Sequence, residues 1–394
     1  GKPWDLMLWG FWKTSSHQHK TMPWTFSSVT RLKQQAAMIL SQGGNVQIYE
    51  HPPQLRDGRL VPWRMRRLGE VGTFCLERQA LCQGTESVPQ IVVLHSEEHA
   101  HSQPVTNLFW GYDVDGVEGA AFGLLENLYS VDIMDEWALS DALDRYPIVV
   151  APEQDQLSDA MVTRLRDYVR SGGRLMVTGA GAWERFGEEF LGTESDRVEE
   201  EGTWFVPAAE GTAELYSPMW RMLRPTTGRT VAFLGELPLR DEGLTAYPAA
   251  VVNDVGQGRV VYVPYDLFHF FRASGYGMVR AWIGECVKAL DADMDIAVQG
   301  PASVDVVLRR KGDRLLINLI NTTSAVEGHG PSAGTEELPL VGPVAVTLSA
   351  HAAPREVVAA FEGGELTWAF DAEEGLVKIA LSGVRLHEVV VVRI

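Results

Sequence analysis

Short apolar runs alternate with amphipathic helical stretches over the first three quarters of the chain, and this alternation restricts the fold more than any other feature. From residue 88 the apolar segments 88–95, 131–134, 147–151 and 174–178 read as strands, with helical periods over 117–129 and 159–170. Ser158 is placed to open the second of these helices, and Gly172-Gly173 to stop it. Strands that alternate with helices form a parallel sheet covered on both faces, so this region predicts a doubly wound α/β domain of flavodoxin type. Residues 96–116 read as a long loop, and the acidic stretch 195–245 as irregular. Two strands, 249–252 and 259–263, then flank a turn at 254–258, and a closing helix is expected over 277–290.

The same rhythm appears at the start. Residues 4–12 are apolar at successive positions, the pattern of a strand covered on both sides. Ser27 or Ser28 caps a helix whose Val29, Leu32, Ala36, Ile39 and Leu40 share one face, and Gly43-Gly44 ends it. A second strand at 45–50 leads to a helix at 64–81. These are two strand-loop-helix units in tandem, and α/β folds place their sites at the C-terminal ends of such strands. After residue 295 the texture becomes short alternating strands. The segments 304–309 and 315–320 pair across Lys311-Gly312-Asp313, followed by 344–348, 357–361, 377–381 and 388–393, which predicts an antiparallel β-sandwich. Three domains result: 1–87, 88–294 and 295–394.

Composition narrows the function. There are 34 Lys and Arg against 52 Asp and Glu, a net charge of −18, which repels polyanions and predicts neither nucleic acid nor an anionic membrane as partner. The three cysteines, Cys75, Cys82 and Cys286, form no disulfide framework and no zinc-site spacing, so a cytoplasmic location and no cofactor are expected. No apolar stretch reaches the length of a membrane span. The abrupt opening on an apolar strand predicts a piece of a longer protein.

The Trp9-Gly10-Phe11 strand end, the helix ending in Gly43-Gly44, the strand into Tyr49-Glu50 and the Trp63-Arg64-Met65 helix start together resemble the last two βα units of a glycoside-hydrolase (β/α)₈ barrel, among bacterial glycosidases distantly similar to α-L-fucosidases. The segments Val88 to His95, Tyr146 to Glu153 and Arg170 to Gly179 resemble the glutamine-amidotransferase-like domain known as the β-galactosidase trimerisation domain. The tail around Leu315-Leu316-Ile317-Asn318 resembles the small β-sandwich that closes such enzymes. The resemblance implies hydrolysis of a glycosidic bond by an intact parent, a carbohydrate ligand and a homo-oligomer, trimer or dimer. It also implies that the nucleophile lies on an earlier barrel strand, so that this chain lacks a complete active site. Class I amidotransferases carry a nucleophilic Cys on a sharp strand-to-helix turn. The matching turn here, Thr178-Gly179-Ala180-Gly181, holds neither Cys nor Ser.

Candidate residues follow from chemistry. Sugars are held by aromatic faces against their C–H surfaces and by polar groups on their hydroxyls. Trp9 and Trp12, the loop residues His17, His19 and Lys20, and Glu50 with His51 supply that mixture. Glu50 ends its strand where barrel enzymes place acids, and is the one catalytic nominee, although glycosidases use two carboxyls. Both tryptophans also suit a core role. The cluster His95, His99 and His101, with Glu97 and Glu98, opens the reading of a metal-dependent hydrolase, against that of a solvated loop without metal. A non-catalytic carbohydrate-binding or scaffold protein is the other alternative.

Overall fold

The computed structural model describes residues 3–13, 24–50, 55, 57–104, 113–208, 211–323 and 336–393, with the backbone alone for 12–13 and 24–25. Two compact units emerge, one of residues 1–88 with 295–394 and one of residues 89–294.

In the first unit, strands Asp5–Trp9 and Asn45–Tyr49 pair in parallel, Trp9 beside Tyr49. Helix Val29–Ser41 connects them. Ser28 is its cap, accepting from the Arg31 amide, and Gly43 at φ +80° turns the chain out of it. Its apolar face, including Leu32, Ala36 and Leu40, packs with Val71 and Phe74 of helix Pro62–Cys82, and the same core includes Val307 and Ile320 from the C-terminal sheet. Of the first strand only Leu8 is buried, while Leu6, Met7 and Trp9 are exposed. This corrects the expectation of a strand covered on both sides: helices among the described residues cover one face of this two-stranded sheet, and an apolar sequence does not say whether a second layer is present.

Residues 295–394 form two antiparallel sheets. One orders strands Ile296–Gln299, Val344–Ser349, Leu376–Leu381 and Leu366–Asp371. The other orders Glu356–Ala359, His387–Arg393, Arg314–Asn321, Val304–Lys311 and the short Glu86–Ser87, so the segment after the second helix joins this sheet as an edge. Glu388 is buried and its carboxylate accepts from the amides of Ala360, Phe361, Glu362 and Val389, an anchor for the turn that follows the Glu356–Ala359 strand.

The second unit is built on a nine-stranded sheet. Its parallel part runs in the spatial order Val131–Asp135, Ile91–His95, Ile148–Ala151, Arg174–Thr178, Gly258–Val263, which is 2-1-3-4-5 in chain order. Ile91 and Val93 face one core with Leu124, Phe268, Phe271, Trp282 and Ile283, whereas Val92 and Leu94 face another with Leu139, Leu165 and Phe186. Both faces are therefore covered, as near-continuous apolar strands require. The amphipathic helix Asp159–Arg170 is capped by Ser158 as its sequence predicts. Most of the described residues in 195–245 lie in strands and are not irregular. Strands Thr193–Ala208, Gly211–Pro225 and Arg229–Gly235 extend the sheet antiparallel beyond Leu244–Val255. Much of the first of these strands is exposed, so its acidic side chains leave little apolar alternation to read. Among the described residues no helix is long and apolar enough to cross a membrane.

Candidate functional site

Two places bring polar chemistry to the C-terminal ends of parallel strands. In the first unit, strand Asn45–Tyr49 delivers Glu50. One carboxylate oxygen, Oε1, accepts from Arg64 Nη1 at 2.5 Å, and each of the two side chains is about 8% exposed. The other oxygen, Oε2, is buried with no hydrogen-bond partner among the described residues. Gly10, at the end of the neighbouring strand, makes room for it, since a Cβ there would lie 2.5 Å from Oε2. Arg64 sits 5.4 Å from the Trp63 ring and 5.9 Å from the Phe26 ring. Trp9 and Tyr49 meet edge to face with centroids 6.2 Å apart, both packing on Phe11, yet they are 51% and 43% exposed.

A buried carboxylate with one paired and one unpartnered oxygen retains acceptor capacity, and the exposed Trp9 and Tyr49 rings suit a sugar's C–H surface. Of the two strand ends, only this one carries a carboxylate. Of the predicted set, Trp9 and Glu50 stand at the C-terminal ends of the two paired strands. His17, His19, Lys20, His51 and the Trp12 side chain lie outside the described residues.

In the second unit the chain leaves strand Ile91–His95 for one neighbour, then crosses to Ile148–Ala151 on the other side, and ligands of open α/β sheets collect at such a reversal. His95, His99, Asp113, Glu153 and His269 line a crevice of about 20 Å³ there, room for a single water. Glu153 is its organiser. The residue is left-handed at φ +46°, a strained conformation for a side chain of this kind, and Gly179 at φ +100° packs against its Cα. Its carboxylate, 3% exposed, accepts from Thr178 Oγ1 at 2.8 Å and from the Phe268 and His269 amides at 2.8 and 3.2 Å. It also lies 3.1 Å from His269 Nδ1.

Glu153 therefore caps helix Leu267–Ser274 from 115 residues away, displacing that helix's own cap residue, Asp266, whose side chain makes no capping bond. Burial, reinforced by the Glu153 charge, pushes the Asp266 carboxyl up to about 7. Burial alone would depress His269, but the bond to Glu153 and the charges of Glu153, Asp113 and Asp266 outweigh it and raise the imidazole to about 9. Neither residue was singled out from sequence. The available signal was position, because Glu153 and Asp266 each follow a parallel strand by two or three residues.

The histidine cluster 95–101 does not form the predicted loop. Ser96 caps a short helix, Glu97–Ser102, because its hydroxyl accepts from the His99 amide. His99 lies 3.2 Å from Asp155 and holds that carboxyl below its usual range, while His101, two residues along the helix, is exposed. Residues two apart on a helix point to different sides. Among the described residues no group of three or more His, Cys, Asp or Glu is placed to hold a metal ion.

No family model matches the sequence. Among solved structures, α-L-fucosidase isoenzyme 2 from Paenibacillus thiaminolyticus superposes with a TM-score of 0.77 at 17% identity, over 98% of this chain and 60% of that one. The fold is glycoside-hydrolase-like. A β-galactosidase from Bacillus circulans sp. alkalophilus matches with a TM-score of 0.65 at 13% identity, over 100% of this chain and 56% of that one. In sequence, β-galactosidase BglY of Alicyclobacillus acidocaldarius is 25% identical over 248 residues, 54% of this chain and 34% of the relative. The chain thus spans about a third of that curated relative and little more than half of the solved chains.

Proposed function

We propose that this chain is the C-terminal portion of a glycoside hydrolase and that Glu50, with Arg64 and Trp9, contacts the carbohydrate. On this reading residues 1–87 are the last two βα units of a (β/α)₈ barrel, and residues 295–394 the closing β-sandwich. Residues 88–294 are an amidotransferase-like oligomerisation domain of flavodoxin type, its 2-1-3-4-5 strand order being the one that such domains use. The elbow Thr178-Gly179-Ala180-Gly181 has no nucleophile, which supports a non-catalytic role for that domain.

One observation carries the reading: a buried carboxylate with an unpartnered oxygen follows one of two parallel strands whose last residues, Trp9 and Tyr49, are exposed. Glycosidic hydrolysis needs a second carboxyl, roughly 5–9.5 Å away, and these two strand ends offer one acid, so the rest of the machinery belongs to other barrel strands. The expected result is no turnover of aryl glycosides by this chain alone and turnover by the longer gene product. In the latter, Glu50→Ala lowers kcat/KM about 10- to 100-fold, the worth of one or two lost hydrogen bonds, one of them charge-assisted. Unchanged kinetics in Glu50→Ala would reject the contact. Saccharide binding without turnover in the longer product would favour a non-catalytic carbohydrate-binding protein.

A further inference from the structure

We propose that the second unit carries a saccharide subsite of its own, in the cavity between the strand pair Thr193–Ala208 and Gly211–Pro225 and the turn joining helices Leu267–Ser274 and Gly277–Ala289. The cavity measures about 520 Å³, within the range that small ligands occupy. Two tyrosines, Tyr216 and Tyr276, line it while remaining 44% and 38% exposed, and Phe270 lines it as well. Both tyrosine rings are tethered. The Tyr216 hydroxyl donates to Glu201 Oε2 at 2.9 Å, and that of Tyr276 to Met278 Sδ at 3.2 Å. Such rings offer flat apolar faces at little further cost in side-chain entropy.

Polar groups stand at fixed positions around them. Thr203 is the direct cross-strand partner of Tyr216, and Glu214 lies two residues before it on the same exposed face. The Glu214 carboxylate makes no hydrogen bond or ion pair among the described residues, and Ser274 adds a second hydroxyl. Gly275, left-handed at φ +57°, ends one helix, and Gly277 begins the next, whose cap residue Tyr276 provides no side-chain bond to the first amides.

This inventory selects its ligand. Glu214 and the nearby Glu201 repel anions. An ammonium ligand would satisfy the carboxylate and the rings but would leave the Thr203 and Ser274 hydroxyls and the Gly277 amide without an acceptor. A neutral pyranose satisfies all three demands, with C–H faces for the rings and hydroxyls that both donate and accept.

The inference does not depend on Glu50, and one titration separates the two. The chain is titrated calorimetrically with lactose, D-galactose and L-fucose, and with choline as the cationic control. At least one saccharide should bind in the millimolar range, choline should not, and Tyr216→Ala and Tyr276→Ala should each weaken binding about tenfold. Tyr276→Phe, which keeps the ring, should retain the affinity and so rules out a folding defect as the cause. The subsite is overturned if no saccharide saturates, if choline binds better, or if the alanine variants bind as the parent does. Loss of saccharide binding in Glu50→Ala with both tyrosine variants intact would also overturn it, and would move the sugar to the strand ends of the other unit.

Discussion

Glu153→Ala is expected to destabilise the second unit by about 3–5 kcal/mol, measured by urea denaturation followed through tryptophan fluorescence. The change removes one carboxylate but strands several groups: the Thr178 hydroxyl, two amides in the first turn of helix Leu267–Ser274, and an imidazole held in its charged form. The Thr178 hydroxyl and the Phe268 amide are buried, whereas the His269 imidazole, 38% exposed, keeps access to water. Glu153→Gly separates this loss from the strain. At φ +46° alanine costs about 1 kcal/mol relative to glycine, so the glycine variant should be the more stable of the two by that amount, though still well below the parent. Equal stability of the two variants would show that the left-handed backbone is not a burden.

The same cluster sets a pH dependence. Asp266 is raised in the folded state to about 7 and His269 to about 9, both above their unfolded values of about 3.9 and 6.5. Each group therefore contributes stability that is complete below its unfolded value and is lost as pH rises through its folded value. For Asp266 the loss runs from about pH 4 to 7, and for His269 from about pH 6.5 to 9. Asp266→Asn keeps a neutral, hydrogen-bonding group and should flatten the lower window, while the upper one persists but ends at a lower pH because the Asp266 charge contributes to raising His269. The parent should carry both.

The local devices were legible in the sequence, whereas the long-range ones were not. Ser28, Ser158 and the Gly43 and Gly172 stops could be read because a cap acts within a few residues of its own helix. The strands of the parallel sheet were visible as apolar runs, and the turn at Lys311-Gly312-Asp313 between strands Val304–Lys311 and Arg314–Asn321 as a local punctuation. The helix Glu97–Ser102 was missed because six residues with two histidines and two glutamates show no apolar period. Strand Gly211–Pro225 was missed although Ala213 and Leu215 alternate with exposed Glu214 and Tyr216, a signal masked by its acidic neighbour. Glu153 reads as an ordinary acid until the fold brings Thr178 and His269 to it, 25 and 116 residues away. Glu50 could be nominated by its place at a strand end, but Arg64 and Gly10, which hold it as a buried carboxylate with one unpartnered oxygen, could not.

The joint between the N-terminal helices and the C-terminal sheet hangs on Arg78, and Arg78→Ala should cost about 3–5 kcal/mol in the first unit. The guanidinium is buried between two rings, 3.5 Å from the Phe74 centroid and 4.4 Å from that of Phe361. Its Nε donates to Nδ1 of the fully buried His387 at 3.1 Å, which leaves the His387 Nε2–H to donate to Asn318 Oδ1 at 3.2 Å. Asn318 in turn donates to the Val307 carbonyl, so a single polar chain crosses from a helix through three strands. Arg78→Lys should cost about 2 kcal/mol, because an ammonium cannot stack flat between the rings while donating in the imidazole plane. Burial, aided by the Arg78 charge, depresses His387 to about 3, so this residue stabilises the fold above its unfolded value of about 6.5 and that contribution is lost as pH falls towards 3. At pH 5 the loss amounts to about 2 kcal/mol, since the unfolded chain gains a proton there that the folded chain refuses. His387→Gln supplies one donor and one acceptor without titrating. Its urea midpoint should therefore fall less than the parent's between pH 7 and pH 5, and parallel midpoints for the two proteins over that interval would mean that His387 is protonated in the fold and that the Arg78 bond is not what holds the joint.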